Sequence, residues 1–221
     1  MVVGIPKEIV TGEKRVSVVP GIISRLKGIS VVMERGAGEA AGFPDTAYVE
    51  QGVSIVDTSA LYEQSDIILK IQTPTATEAR LFKEGTTLIS FLYPLTNLET
   101  IQILAARRVN ALAMNLIPRS SRAQSMDALS SQAIISGYKA VLLGADSLPR
   151  LFPMLMTAAG TIPPAKVFVI GAGVAGLQAI AVARRLGAMV EAYDVRPAAK
   201  EEIKSLGATF VELPIESKEE Q

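Results

Sequence analysis

Neither histidine nor cysteine occurs anywhere in the 221 residues. Without cysteine there is no disulfide framework and no thiolate metal site, a composition that fits a reducing cytosol. Without histidine the chain lacks the commonest general acid/base and the commonest metal ligand. Its chemistry must run without imidazole, and no metal site is expected. Charge of one sign is missing too: 22 Lys and Arg balance 22 Asp and Glu, so nothing points to nucleic acid or a polyanionic surface. No charged-then-apolar leader opens the chain; Met1 to Ile5 reads as a first strand. The one long apolar run, Val167 to Ala183, carries three glycines within six positions. A membrane-spanning helix needs about 20 apolar residues, and glycines so spaced suit a turn. No span of the bilayer is expected.

What is present is a buried-strand run, Val167-Phe168-Val169-Ile170, leading directly into Gly171-Ala172-Gly173-Val174-Ala175-Gly176. Leu177, Ile180 and Ala181 then recur at helical spacing, Gly187 ends the helix, and Ala188 to Asp194 read as the next strand. Gly171 makes the tight turn, Gly173 lets the backbone approach a pyrophosphate, and Gly176 lets helix and strand pack closely. The pyrophosphate would meet the helix N-terminus at Val174 and Ala175, where free N–H groups favour an anion. Asp194, at the strand end, is placed to accept hydrogen bonds from an adenosine ribose. Glycines that only permit close packing would need neither this order of elements nor the terminal acid. Arg196, past Val195 on the same face of an extended segment, can accommodate a 2′-phosphate. Asp194 opposes one, which makes NAD(H) the expected cofactor.

The length suits one large or two small domains. Strand-like patches (Val2–Ile5, Ser30–Met33, Ile67–Ile71, Thr87–Phe91, Ala111–Leu116) alternate with helical ones (Gly21–Leu26, Asp45–Gln51, Thr58–Gln64, Asn97–Arg107). Asp45 and Asn97 are the candidate N-caps. A longer helix is expected from about Met126 to Gly144, and Thr157 to Pro164 reads as a linker. The alternation predicts an α/β protein with two Rossmann-like parallel-sheet domains, residues 1–144 and 145–221. The second is incomplete: a full dinucleotide fold has six strands, and only about 55 residues follow Lys166. They suffice for strand, helix, strand, helix and a last short strand at Phe210 to Leu213, before an acidic tail from Glu216. Either the chain is a fragment of a longer one or a separate polypeptide completes the domain.

Several motifs are more specific than the glycine turn. They are Gly4-Ile5-Pro6-Lys7-Glu8 with Gly12-Glu13-Lys14-Arg15-Val16, Pro118-Arg119-Ser120-Ser121-Arg122-Ala123-Gln124-Ser125-Met126-Asp127, and Tyr193-Asp194-Val195-Arg196-Pro197. With them the whole chain resembles the NAD(H)-binding alpha subunit of the proton-translocating NAD(P) transhydrogenases. The resemblance implies that the Arg119 loop holds the nicotinamide end of NAD(H). It gives Arg119, Gln124 and Asp127 the catalytic roles, and adds Ser120, Ser121, Arg122 and Ser130 to the cofactor-binding set of the glycine turn, Asp194, Val195 and Arg196. Arg119 can donate to the carboxamide carbonyl and Asp127 can accept from its NH2. Without the resemblance, Asp127 reads equally as a helix cap and Arg119 as a solvated charge. The resemblance further implies NADP(H) on a partner subunit, membrane-spanning partners, a homodimer, and a cytoplasmic position at the inner face of the cell membrane.

Alanine dehydrogenases share the resemblance. Their amino-acid chemistry uses an arginine, a lysine and a histidine; Arg15 and Lys70 stand in comparable places here, but the stretch near Phe91-Leu92-Tyr93-Pro94 has no histidine. Hydride transfer between two nicotinamides needs alignment and water exclusion, not an acid or base at carbon. Transhydrogenation is therefore favoured, with Arg15 and Lys70 as structural residues. An alanine dehydrogenase-like oxidoreductase and a catalytically silent nucleotide-binding module are the alternatives.

Overall fold

A computed structural model of the chain describes residues 1–212; Leu213 and the acidic tail lie outside the described residues. The chain forms two compact units, Met1–Asp127 and a second beginning at Ala128.

The first unit carries β1 (Val2–Ile5), α1 (Pro20–Ile23), β2 (Ser30–Glu34), α2 (Asp45–Val49), β3 (Ser54–Val56), α3 (Thr58–Gln64), β4 (Ile67–Leu69), α4 (Ala76–Ala79), β5 (Thr87–Ser90), α5 (Leu98–Ala106) and β6 (Asn110–Ala113). All six strands pair in parallel, in the order β3-β2-β1-β4-β5-β6. Both faces of this sheet are covered. Along β2, Val32 joins a core with Leu61, Ile68, Phe82 and Leu88, while Val31 and Met33 join another with Ile5, Tyr48 and Val53. That is the two-residue period of a doubly covered strand. The strand order reverses between β1 and β4, which opens a crevice at their carboxyl ends.

Two short elements lay below the reach of periodicity: the three-residue β3 and the single-turn α4. The latter is announced by a capping box in which Thr75 and Glu78 bond each other's backbone N–H. The N-cap assignments change as well. Asp45 sits inside α2, behind Pro44, and its carboxylate accepts from the Gly36 N–H. Asn97 occupies the N-cap of α5 but makes no side-chain cap; its amide donates to the Leu92 carbonyl instead. Asp57 is the residue that caps α3, accepting from the Ala60 N–H at 2.8 Å.

The second unit holds α6 (Ala128–Ser147), β7 (Leu155–Thr157), β8 (Gly160–Ile162), β9 (Lys166–Ile170), α7 (Val174–Arg185), β10 (Met189–Tyr193), α8 (Ala199–Ser205) and β11 (Thr209–Phe210). Strands β11, β10 and β9 form a parallel sheet in that order. Its core gathers Ile180, Val190, Ala192 and Ile203, with Val141 of α6 and Phe152. Helix α6 packs into this core, and the compact second unit begins with it at Ala128. The stretch read as a linker is also different: Thr157 to Ile162 belongs to an antiparallel hairpin, β7 with β8, inside the second unit.

Candidate functional site

The glycine turn follows β9, but the run is not the buried strand the sequence suggests: β9 is an edge strand, with Phe168 and Ile170 exposed. Gly171 takes φ +91°, a left-handed conformation that a side chain resists, and its N–H continues the ladder to the Tyr193 carbonyl at 2.8 Å. Gly176 lies so close beneath that any Cβ would strike the Gly171 carbonyl oxygen. Gly173 is the N-cap of α7 and makes no side-chain cap. Nothing lies within 4 Å of where its Cβ would be. The first amides of α7, at Val174 and Ala175, thus have no capping side chain from Gly173, the condition in which a helix N-terminus can receive an anion.

Asp194 follows β10 and is buried. One carboxylate oxygen accepts from the Ala172 N–H at 2.6 Å. The other accepts from the Arg196 N–H at 2.8 Å and its Nε at 3.0 Å. The Arg196 Nη2 adds contacts to Asp194 at 3.2 Å and to the Ala172 carbonyl at 3.1 Å. These bonds, the Arg196 side chain first, hold the carboxyl at about 2, below its ordinary 3.8. Asp194 thus braces the glycine turn, and Arg196 folds over it instead of standing beside it for a 2′-phosphate. Two of the carboxylate's lone-pair sites are held by the Arg196 side chain, which is 56% exposed. Withdrawal of that guanidinium leaves one site on each oxygen, the number that two ribose hydroxyls need. Val195 between them is exposed. The geometry fits the pyrophosphate and adenosine ribose of a dinucleotide.

The other expected residues lie on a loop of the first unit. Arg119, Ser120, Ser121, Arg122 and Gln124 are exposed, and Asp127, with Ser130 just beyond in α6, is half-buried. Successive tight turns hold the loop: Ala123 N–H to Ser120 O at 3.0 Å, Met126 N–H to Ala123 O at 2.9 Å. Ala123 is its buried anchor.

The crevice of the first unit holds polar groups that sequence reasoning left unpaired. Lys70, after β4, is fully buried between Glu8 at 2.8 Å and Glu78 at 3.1 Å. Glu8 also accepts from the Ile71 N–H at 2.6 Å, so one carboxylate ties the chain after β1 to the chain after β4. Glu13 is gripped by Arg15 at 2.6 Å and by the Gln72 amide at 2.7 Å. The Arg15 side chain foremost lowers the Glu13 carboxyl from 4.5 to about 2. Near the switch point, Tyr93 adopts φ +43°. The Asn115 side chain holds it, accepting from the Leu92 and Tyr93 N–H groups at 2.9 and 3.2 Å. Glu8 and Glu13 stood inside diagnostic motifs, but only tertiary folding pairs them with residues about 60 positions away.

A switch-point sheet followed by a strand, glycine turn and helix with a strand-end aspartate defines a doubly wound, nucleotide-binding α/β protein. Residues 4–136 match the N-terminal domain, and residues 140–221 the C-terminal domain, described as alanine dehydrogenase/PNT. The chain belongs to that family. It is 48% identical to an NAD(P) transhydrogenase subunit alpha polypeptide of Rhodospirillum rubrum over 98% of its own length and 59% of the relative's. Alanine dehydrogenase 2 of Staphylococcus aureus is 32% identical over 93% of this chain and 56% of the other. The crystal structure of transhydrogenase from Sinorhizobium meliloti superposes with a TM-score of 0.92 at 48% identity, covering 96% of this chain and 64% of that one. The chain thus spans about three-fifths of the length of these relatives.

Proposed function

We propose that the chain is the NAD(H)-binding component of a proton-translocating NAD(P) transhydrogenase. The observation that carries the reading is the glycine turn braced by Asp194, in a chain 48% identical to a transhydrogenase alpha subunit. NADH supplies the hydride, and NADP+ on a partner subunit receives it. On this reading the amides of Val174 and Ala175 take the pyrophosphate and Asp194 takes the ribose hydroxyls once Arg196 turns aside. Arg119 donates to the nicotinamide carboxamide and Asp127 accepts from it. Gln124 bonds a ribose hydroxyl or the facing nucleotide, and Ser120, Ser121, Arg122 and Ser130 line the same end. None of these roles needs a general acid at carbon, in keeping with a sequence without histidine.

The same reading makes the protein a homodimer at the cytoplasmic face of the cell membrane, held there by its partner subunits. No helix among the described residues is long and apolar enough to cross a membrane, so on this reading the proton path belongs to those partners. An alanine dehydrogenase activity has weaker support, because the stretch Phe91-Leu92-Tyr93-Pro94, like the rest of the sequence, offers no histidine. The test combines the polypeptide with NADP(H)-binding and membrane-spanning transhydrogenase subunits and follows NADP+ reduction by NADH. Transfer that depends on this chain is expected. Alanine-dependent NAD+ reduction, or no chain-dependent transfer, would overturn the reading.

A further inference from the structure

Gly137 lies in the middle of α6, buried against the first turn of α7. A Cβ there would collide with the backbone carbonyl oxygen of Ala175 and stand 3.0 Å from its carbonyl carbon. The obstacle is backbone, so no rotamer change relieves it. Ala175 belongs to the glycine turn, and its own amide is among those that open α7. Gly144, two turns further along the same helix, has nothing within 4 Å. Both glycines weaken a helix interior relative to alanine, but only at Gly137 does a close approach explain the residue.

We propose that Gly137 is a positioning residue of the dinucleotide site, an inference that rests on the nucleotide-binding reading above. The bare backbone of α6 is the stop against which the first turn of α7 seats. It sets where the free N–H groups meet the pyrophosphate, without touching the ligand. A side chain at 137 pushes Ala175 away and tilts those donors, whose charge-assisted bonds depend closely on distance and angle. Asp194 is braced by Ala172 and Arg196, so the ribose end of the site stays as it was. The two parts of the ligand should therefore respond differently.

The test titrates ADP and adenosine separately into the 221-residue chain, Gly137→Ala, Gly144→Ala and the double variant, following amide resonances of the glycine turn. Wild type and Gly144→Ala are expected to bind ADP about tenfold or more tighter than adenosine, the margin set by charge-assisted bonds to phosphate. Gly137→Ala should keep its adenosine affinity and lose most of that margin. A Gly137→Ala chain that keeps the ADP-to-adenosine ratio, or weakens both ligands equally, overturns the proposal. Wild type that binds neither ligand overturns the nucleotide-binding reading and the proposal with it. If Gly137→Ala alone does not fold, the ratio is read in the double variant, where the gain in helix propensity at 144 offsets part of the loss. If that also fails to fold while Gly144→Ala folds, Gly137 serves folding only, and the proposal falls.

Discussion

Asp194 has two tasks that pull on one carboxylate. It braces Ala172 in the glycine turn, and on the proposed reading it accepts from the adenosine ribose. Asp194→Ala should weaken ADP binding by about 1.5–3 kcal/mol, the worth of hydrogen bonds to a charged group, read by titration of the chain. Unchanged affinity would remove Asp194 from the site. The carboxyl also links the turn to pH. Held at about 2 in the fold against an ordinary 3.8, it binds its proton less readily folded than unfolded. Its contribution is complete above about pH 4 and is lost as the pH falls towards 2. The thermal midpoint of the second unit should drop across that window, and Asp194→Asn should flatten the drop. An equally steep fall in the variant would assign it to other carboxylates.

At the scale of elements, the first unit is clamped across its switch point by buried charge. Lys70 between Glu8 and Glu78 joins the ends of β1 and β4 to the cap of α4. A buried pair of this kind adds little beyond what apolar packing would, yet breaking it strands a charge. Lys70→Ala should destabilise the first unit by about 3–5 kcal/mol in urea unfolding. Pairing Lys70→Met with Glu8→Gln should recover part of that loss. A single substitution that costs nothing would mean the carboxylates are satisfied without the lysine.

For the whole molecule, the division at Asp127 follows the exposed arginines of the loop, Arg119 and Arg122. Limited trypsin digestion should cut there and release a resistant core ending at one of the two, identified by mass spectrometry. Cleavage first at Arg150 or Lys166, the exposed basic residues that flank the hairpin at residues 155–162, would favour the linker expected from sequence. On the proposed reading, replacing Gln124 or Asp127 in the assembled enzyme should slow hydride transfer by about 100-fold while NADH affinity changes far less, because a small misplacement of the ring is costly in rate. Variants that transfer normally but no longer bind NADH would reverse the proposed division between loop and glycine turn.

Alternating strands and helices, the glycine turn and the strand-end aspartate were all legible in the sequence, because each rests on contacts between near neighbours: a φ of +91° at Gly171, a two-residue period in β2, a helix N-terminus after Gly173. The short β3 was not, since three edge residues carry too little period to stand out. Nor was the packing of α6 on α7, because a small-and-apolar face does not name the surface it will meet; only the fold brings Gly137 against the Ala175 backbone. The pairs Lys70–Glu8, Glu13–Gln72 and Asp194–Ala172 join residues 62, 59 and 22 positions apart. Sequence by itself determined which groups can bond, but only the tertiary structure decided which of them meet, because burial leaves each charge a single set of partners to offset its lost water.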